Sequence, residues 1–200
     1  MVEQEFLLMD KYDVSDIKIK DRALVPYINL TPRLLLKACG RNTGKFSKIK
    51  VSIIERIANR VATAGHIGKK HKIITNWATG KYTKNMKLVM EALDIVAEKT
   101  GKNPIQILVD AIVNGSPRDE ITIIEQGGAR YPQAVDCSPF RRVDLAVRWM
   151  VQGSYQRSFG KKRKMSVVLA EEIIKASEGN MESFAKSKAN DSEKQADSAR

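Results

Sequence analysis

The stretch Ile121-Thr-Ile-Ile-Glu125, followed by QGGARYPQAVDCSPFRR (Gln126–Arg142), decides the fold. A short β-branched run meets a double glycine, an arginine and a tyrosine, and the returning segment carries a proline. Ser138-Pro139 then opens a helix whose first turn holds Arg141 and Arg142. The pattern predicts a two-stranded β-hairpin over about 118–138 and a basic helix behind it. Such a hairpin is marginal alone in water, and Pro132 keeps its strand out of a sheet interior. Two readings stay open. The arm folds back on its own helices, or it lies against a partner. In the second reading Gly127 and Gly128 let backbone approach a phosphate, Arg130 pairs with it, and Tyr131 stacks on a base.

Outward from the arm, the periodicity is helical. Residues 1–30 read as an extended, partly ordered leader. Thr31-Pro32 gives a cap and a proline at the first helical position, with Gly40 as the stop of a short helix. Ser47 caps a second helix to about Ala64, with Ile53, Ile54, Ile57 and Val61 on one buried face. Residues 73–82 are ambiguous, with Trp77 as their packing anchor. Helices follow from about Thr83 to Thr100, from Asn103-Pro104 to Gly115, from Pro139 onward, and from Ser166 to Gly179. The tail, 181–200, has only Phe184 as a large buried candidate and reads as frayed or disordered. The fold class is mainly α: one helical domain of about six helices over 31–180, with a protruding hairpin.

The chain of 200 residues carries a net charge of +12. From Lys37 to Lys87, thirteen Lys and Arg stand against a single acid, Glu55. From Arg130 to Lys164, nine basic residues stand against Asp136 and Asp144. Two windows so poor in acids point to an anionic partner, nucleic acid first. The candidate contacts within them are Arg41, Lys45, Lys48, Arg56, Arg60, Lys69, Lys70, Lys72, Lys81 and Lys84. In the second window they are Lys161, Lys162, Arg163 and Lys164.

Other chemistries find little support. Gly40-Arg-Asn-Thr-Gly-Lys45 has three residues between its glycines and Phe46 after its lysine, so it fails the phosphate-loop pattern. His66 and His71 offer at most two ligands, too few for a metal, and have no positioned acid for general-base work. No nucleophile–base–acid set stands out, so neither a catalytic residue nor a cofactor is expected. Cys39 and Cys137 read as small buried fillers of a reduced, cytosolic protein. No apolar run reaches membrane-spanning length, and the acidic N-terminus lacks a signal pattern.

The order of short motifs is specific. It runs Tyr27-Ile-Asn-Leu-Thr-Pro32, Gly40-Arg41, Phe46 and Ile54-Glu-Arg-Ile-Ala-Asn59, then Asn103-Pro-Ile-Gln-Ile-Leu-Val-Asp-Ala-Ile112 and Pro117-Arg118. Gly127-Gly128, Gln133-Ala-Val-Asp136, Ser138-Pro139, Arg141-Arg142 and Asp144-Leu-Ala-Val-Arg148 complete it. Together these resemble the small-subunit ribosomal protein S-seven family in its archaeal and eukaryotic-like form, over about residues 17–180. The resemblance implies a structural protein that binds the three-prime major domain of small-subunit ribosomal RNA and nucleates assembly of the head. It also implies an arm beside the exit-site tRNA at the subunit interface, neighbouring head and platform proteins as partners, and a ribosome-bound place in the cytoplasm. By matching position, Arg118, Arg130, Arg141, Arg142 and Arg148 become RNA contacts, and Gly127 to Tyr131 the arm tip. The alternative is a free nucleic-acid-binding protein or an assembly factor, for which the basic windows alone suffice.

Overall fold

In the computed structural model, residues 7–33, 36–38, 40, 42–65 and 78–200 are described. Arg41, Lys69, Lys70 and Lys72 lie outside them, as do Cys39, His66, His71 and Trp77. Six α-helices and one hairpin are found among the described residues: α1 Ile53–Ala62, α2 Tyr82–Thr100, α3 Pro104–Asn114, β1 Asp119–Gln126, β2 Ala129–Asp136, α4 Pro139–Ser158, α5 Met165–Ser177 and α6 Phe184–Ser198. One apolar cluster joins them, with Ile57 of α1, Leu93 of α2, Leu108 and Ile112 of α3, Met150 of α4 and Ile173 of α5 all buried in it.

Caps explain two of the boundaries. Asn103 accepts a hydrogen bond from the Ile105 amide and Pro104 takes the first helical position, so α3 starts where the sequence places it. Gly101 closes α2 with φ of +65° and an amide bonded to Ala97 O, a left-handed turn that a glycine takes at little cost.

The entry to α1 differs from expectation. Ser47 opens only a 3-10 turn, Ser47–Lys50, and α1 begins behind Ser52. Asn29 is the cause. Its side-chain amide donates to Lys50 O at 2.7 Å, and its carbonyl accepts from the Ile53 amide at 3.1 Å. That amide is thereby taken from the helical ladder. The same Asn29 side chain accepts from both the amide and the hydroxyl of Thr31. Thr31 is therefore held in a local turn and caps no helix among the described residues, which are irregular at 31–33 and 36–38.

The described part of the leader, residues 7–30, packs against the bundle. Leu8 and Leu24 are fully buried. Gln106 of α3 pairs with the Lys18 backbone, accepting from its amide and donating to its carbonyl. Asp94 of α2 accepts from Tyr12 and Lys11.

The tail differs most. Instead of fraying, it forms α6, whose Ala185, Ala189 and Ala196 are buried. Glu172 of α5, fully buried, is the anchor. It accepts from Ser183 Oγ at 2.8 Å, from the Ala185 amide at 3.1 Å and from Arg157 Nη1 of α4 at 2.9 Å. A buried carboxylate with that many donors is satisfied as an anion and ties three helices at one point. Farther along, α6 and the residues after it hold the base of the hairpin: Ser192 Oγ donates to Asp119 O, Glu193 accepts from the Arg118 amide, and Arg200, beyond the helix, pairs with Asp119 at 2.6 Å.

The close approach of α4 and α6 depends on Gly153. A Cβ there would stand 2.5 Å from Phe184 Cβ and 2.9 Å from its Cγ. Alanine in a helix interior normally gains up to about 1 kcal/mol over glycine, so the sign of Gly153→Ala is informative. Overpacking should win, lowering stability by about 1–3 kcal/mol and speeding amide exchange in α6 more than in α2. An unchanged or raised melting temperature would mean that α6 is not seated on α4.

Candidate nucleic-acid interface

Helices α1 and α4 bring together cations that lie far apart in sequence. Lys48, Arg56, Arg60, Asp144, Val147 and Arg148 line one small cavity of about 50 Å³. At its centre Asp144 accepts from Lys48 Nζ at 2.8 Å and from Arg56 Nη2 at 2.7 Å. The Arg56 side chain is only 1% exposed, and its other nitrogen Nη1 donates to Tyr27 O at 2.9 Å. The Phe140 ring covers this guanidinium at 5.8 Å. Arg56 is therefore held inside the fold.

Arg60, one turn farther along α1, is different. It is half-buried, its Nε has no hydrogen-bond partner, and it forms no ion pair among the described residues. Burial lowers its pKa and the neighbouring charge of Arg148 lowers it further, only partly opposed by Asp144. Four cations around one carboxylate leave three positive charges uncompensated. Desolvation and mutual repulsion of this kind are relieved by an outside anion, and phosphate fits a guanidinium pair geometrically.

The other candidates divide in the same way. Arg142 is buried, with Nη2 on Asp21 at 2.8 Å and Nε on Pro117 O at 3.1 Å, so it pins the leader to the hairpin base. Arg141 is exposed and paired with Glu120 at 2.6 Å. Arg118 lines an open cleft of about 750 Å³ with Lys20, Arg22 and Lys186, which sequence reading passed over, and with four carboxylates. Lys45, Lys81 and Lys84 are exposed. Lys161 and Lys162 are exposed beside Arg163, which pairs with Glu171, and Lys164, 3.9 Å from Glu91. Burial and the adjacent Glu120 push the Cys137 thiol up to about 11, which suits a filler and not a nucleophile.

Sequence reading also passed over Phe46. It is 58% exposed, edge-on to Phe140 at 5.6 Å, with Lys45 Nζ over its ring at 5.5 Å. An exposed aromatic among lysines is a stacking surface for a base; the signal was its place in a basic, glycine-bearing loop.

The arm ends in Gly127 and Gly128, with φ of +60° and +82°, the pair of left-handed residues a two-residue hairpin turn needs. Ile123 faces Pro132, Ile124 faces Tyr131 and Glu125 faces Arg130. Its outer half does not fold back on the helices: Ile123 is 67% exposed and Tyr131 58%.

Among the described residues, no group of three or more His, Cys, Asp or Glu could hold a metal ion. None of the described helices is long and apolar enough to cross a membrane.

Asp144 offers a test of this arrangement. Burial pushes its pKa up, but the hydrogen bonds from Lys48 and Arg56 outweigh burial and hold it below the usual carboxylate range. A depressed folded pKa gives stability that is present above the unfolded value and lost as pH falls through the folded one. Asp144→Asn should lower stability at pH 7 by about 3 kcal/mol, the low end for a broken buried pair. The gap to wild type should close as pH falls below the ordinary aspartate range of about 4. A gap independent of pH in melting experiments would show that the charge of Asp144 does not hold the cluster.

Comparison with known proteins follows the same lines. A family model described as Ribosomal protein S7p/S5e matches residues 31–200. The chain is 45% identical over 194 residues to a Nanoarchaeum equitans protein named small ribosomal subunit protein uS7, covering 96% of this chain and 98% of that one. It is 41% identical over 199 residues to the protein of that name from Archaeoglobus fulgidus, covering 99% and 97%. Against the Methanococcus maripaludis protein of that name it is 40% identical, covering 98% and 100%.

Proposed function

The chain belongs to the ribosomal protein S7p/S5e family, and from that membership we propose a division of labour between its helical body and its arm. The protein is a structural, non-enzymatic constituent of the small ribosomal subunit and binds ribosomal RNA. The body binds the three-prime major domain of that RNA early and nucleates assembly of the head. The arm reaches the exit-site tRNA at the subunit interface, in a cytoplasmic, ribosome-bound protein.

The observation that carries the reading is the uncompensated guanidinium pair Arg60 and Arg148, set beside the Asp144 cluster. It is a phosphate site built on two rigid helices. Lys45, Lys48, Lys81, Lys84, Arg118, Arg141 and the 161–164 turn extend the phosphate-binding surface around the body. Arg56 and Arg142 act from inside, one holding Asp144 and the other holding the leader against the hairpin base.

The arm has a different chemistry. Its base is fixed by α6, whereas its outer half presents Ile123, Ile124 and Tyr131 to solvent with Arg130. Exposed apolar side chains beside an arginine and two close-approach glycines suit a mixed contact with tRNA and with neighbouring head and platform proteins.

Deleting Gln126 to Tyr131 and closing the strands with a two-residue turn should leave the body folded and the protein competent to enter the subunit. Stoichiometric co-sedimentation with small subunits at high salt checks this, and it also separates a ribosomal constituent from a free nucleic-acid binder. Ribosomes carrying the deletion should hold deacylated tRNA at the exit site less tightly. Failure of the shortened protein to enter the subunit, or unchanged exit-site tRNA, would contradict the division.

A further inference from the structure

Glu55 is the single acid among the thirteen cations between Lys37 and Lys87, and the phosphate-binding reading gives it nothing to do. It closes the pattern Ser52-Ile-Ile-Glu55, the sequence form of a capping box. In a closed box the serine hydroxyl accepts from the fourth residue's amide, and the glutamate reaches back to the serine amide. Here the box stays open. Ser52 stands at the N-cap of α1 without making a side-chain cap, and Glu55 Oε1 instead accepts from the Ala38 amide at 2.8 Å. Among the described residues Glu55 Oε2 and Ser52 Oγ have no hydrogen-bond partner, although the two residues are only 3% and 7% exposed. An unpaired buried carboxylate oxygen is costly.

Both residues line a cavity of about 200 Å³, whose walls include Asn29, Asn42, Arg33 and Lys50. An apolar cavity of about 150 Å³ accepts a benzene ring, so this one has room for a single heterocycle. Its chemistry is two-sided. Its lining includes a carboxylate and a hydroxyl, closed to solvent, that call for N–H donors; Arg33 and Lys50, both exposed, call for an anion. A nucleotide satisfies both ends.

Among the bases, guanine alone carries two adjacent donors, N1–H and N2–H, on its Watson–Crick edge. Adenine and cytosine set an acceptor beside their donor, and uracil has one N–H between two carbonyls. Each of these turns a lone pair toward the carboxylate. Proteins that read irregular RNA take up splayed bases on this edge. We propose that the Ser52–Glu55 cavity is a specificity site for one extruded guanine of the bound RNA, with Glu55 accepting from its donor edge and Arg33 and Lys50 flanking its phosphates. The inference rests on the RNA-binding reading and adds base selection to a surface that otherwise reads only charge.

The test uses the full chain titrated with GMP, IMP, AMP, CMP and UMP, followed by amide chemical shifts around Ser52 and Glu55. GMP should bind about tenfold or more tighter than AMP, with IMP, which lacks N2–H, in between. Glu55→Gln keeps an acceptor for the Ala38 amide and should stay folded while losing the preference. Ser52→Ala, which removes no cap, should weaken it. Equal binding of all five nucleotides, a preference retained in Glu55→Gln, or shifts produced by argininamide but not by GMP would overturn the proposal, as would a cavity that holds water only.

A second arm measures binding of a three-prime major domain fragment by wild type and Glu55→Gln. If wild type binds the fragment and the variant binds it equally, the guanine site is refuted while the RNA reading stands. If wild type does not bind it, the RNA reading fails, and the GMP titration decides the cavity by itself.

Discussion

The rest of the molecule depends on how a chain of net charge +12 keeps guanidinium groups inside its fold. A buried cation is tolerable only with a partner. Two carboxylates serve that purpose here, Asp144 for Arg56 and Asp21 for Arg142; at a third pair the roles reverse, with the buried Glu172 partnered by Arg157, whose side chain is 39% exposed. Each pair joins parts remote in sequence, namely α1 to α4, the leader to α4, and α4 to α5 and α6. The internal ion pairs are thus the joints of the bundle. The cations left outside them, Arg60 and Arg148 above all, are held in place by those joints but are not neutralised by them. On the proposed reading this surface is where phosphate would dock, at cations carried by two helices that the internal pairs already hold together.

The arm follows from the same economy of contacts. A two-stranded ribbon lacks the stability to stand alone, and the chain solves this by docking only its base. Asp119 is held by Ser192 and Arg200 of the C-terminal segment, and Arg118 by Glu193. The far end carries the exposed isoleucines and Tyr131. The C-terminal helix therefore links the body to the arm, and Glu172 fixes that helix at its start. The question raised by the glycine-rich turn is answered by geometry: the base packs, and the tip does not.

Legibility varied with the kind of signal. Helices α2, α3, α4 and α5 could be read because large apolar residues recur on one face and Asn103-Pro104, Gly101 and Ser138-Pro139 mark their ends. The hairpin could be read from its β-branched run and glycine pair. Helix α6 could not, because its buried stripe is Ala185, Ala189 and Ala196, too small to register as a hydrophobic pattern, and its anchor is a polar side chain on another helix. The entry to α1 was misplaced because Asn29, some twenty residues upstream, captures its first amide. At the basic surface, charge windows could not separate Arg56 from Arg60. They lie four apart on one helix, and only the position of Asp144 makes one an internal joint and leaves the other without an ion pair among the described residues.

The central claim, that Arg60 and Arg148 meet phosphate, is tested most directly by the salt dependence of binding to a three-prime major domain fragment. Wild type should lose about three to five decades of affinity between about 50 and 200 mM salt if roughly six to ten phosphates are neutralised. Replacing Arg60 and Arg148 together by Gln should leave the melting temperature within a few degrees, since neither forms an ion pair among the described residues. It should flatten the log–log slope by about 1 to 2, the equivalent of one or two lost phosphate contacts. A slope identical to that of wild type, whatever the change in affinity, would contradict the account.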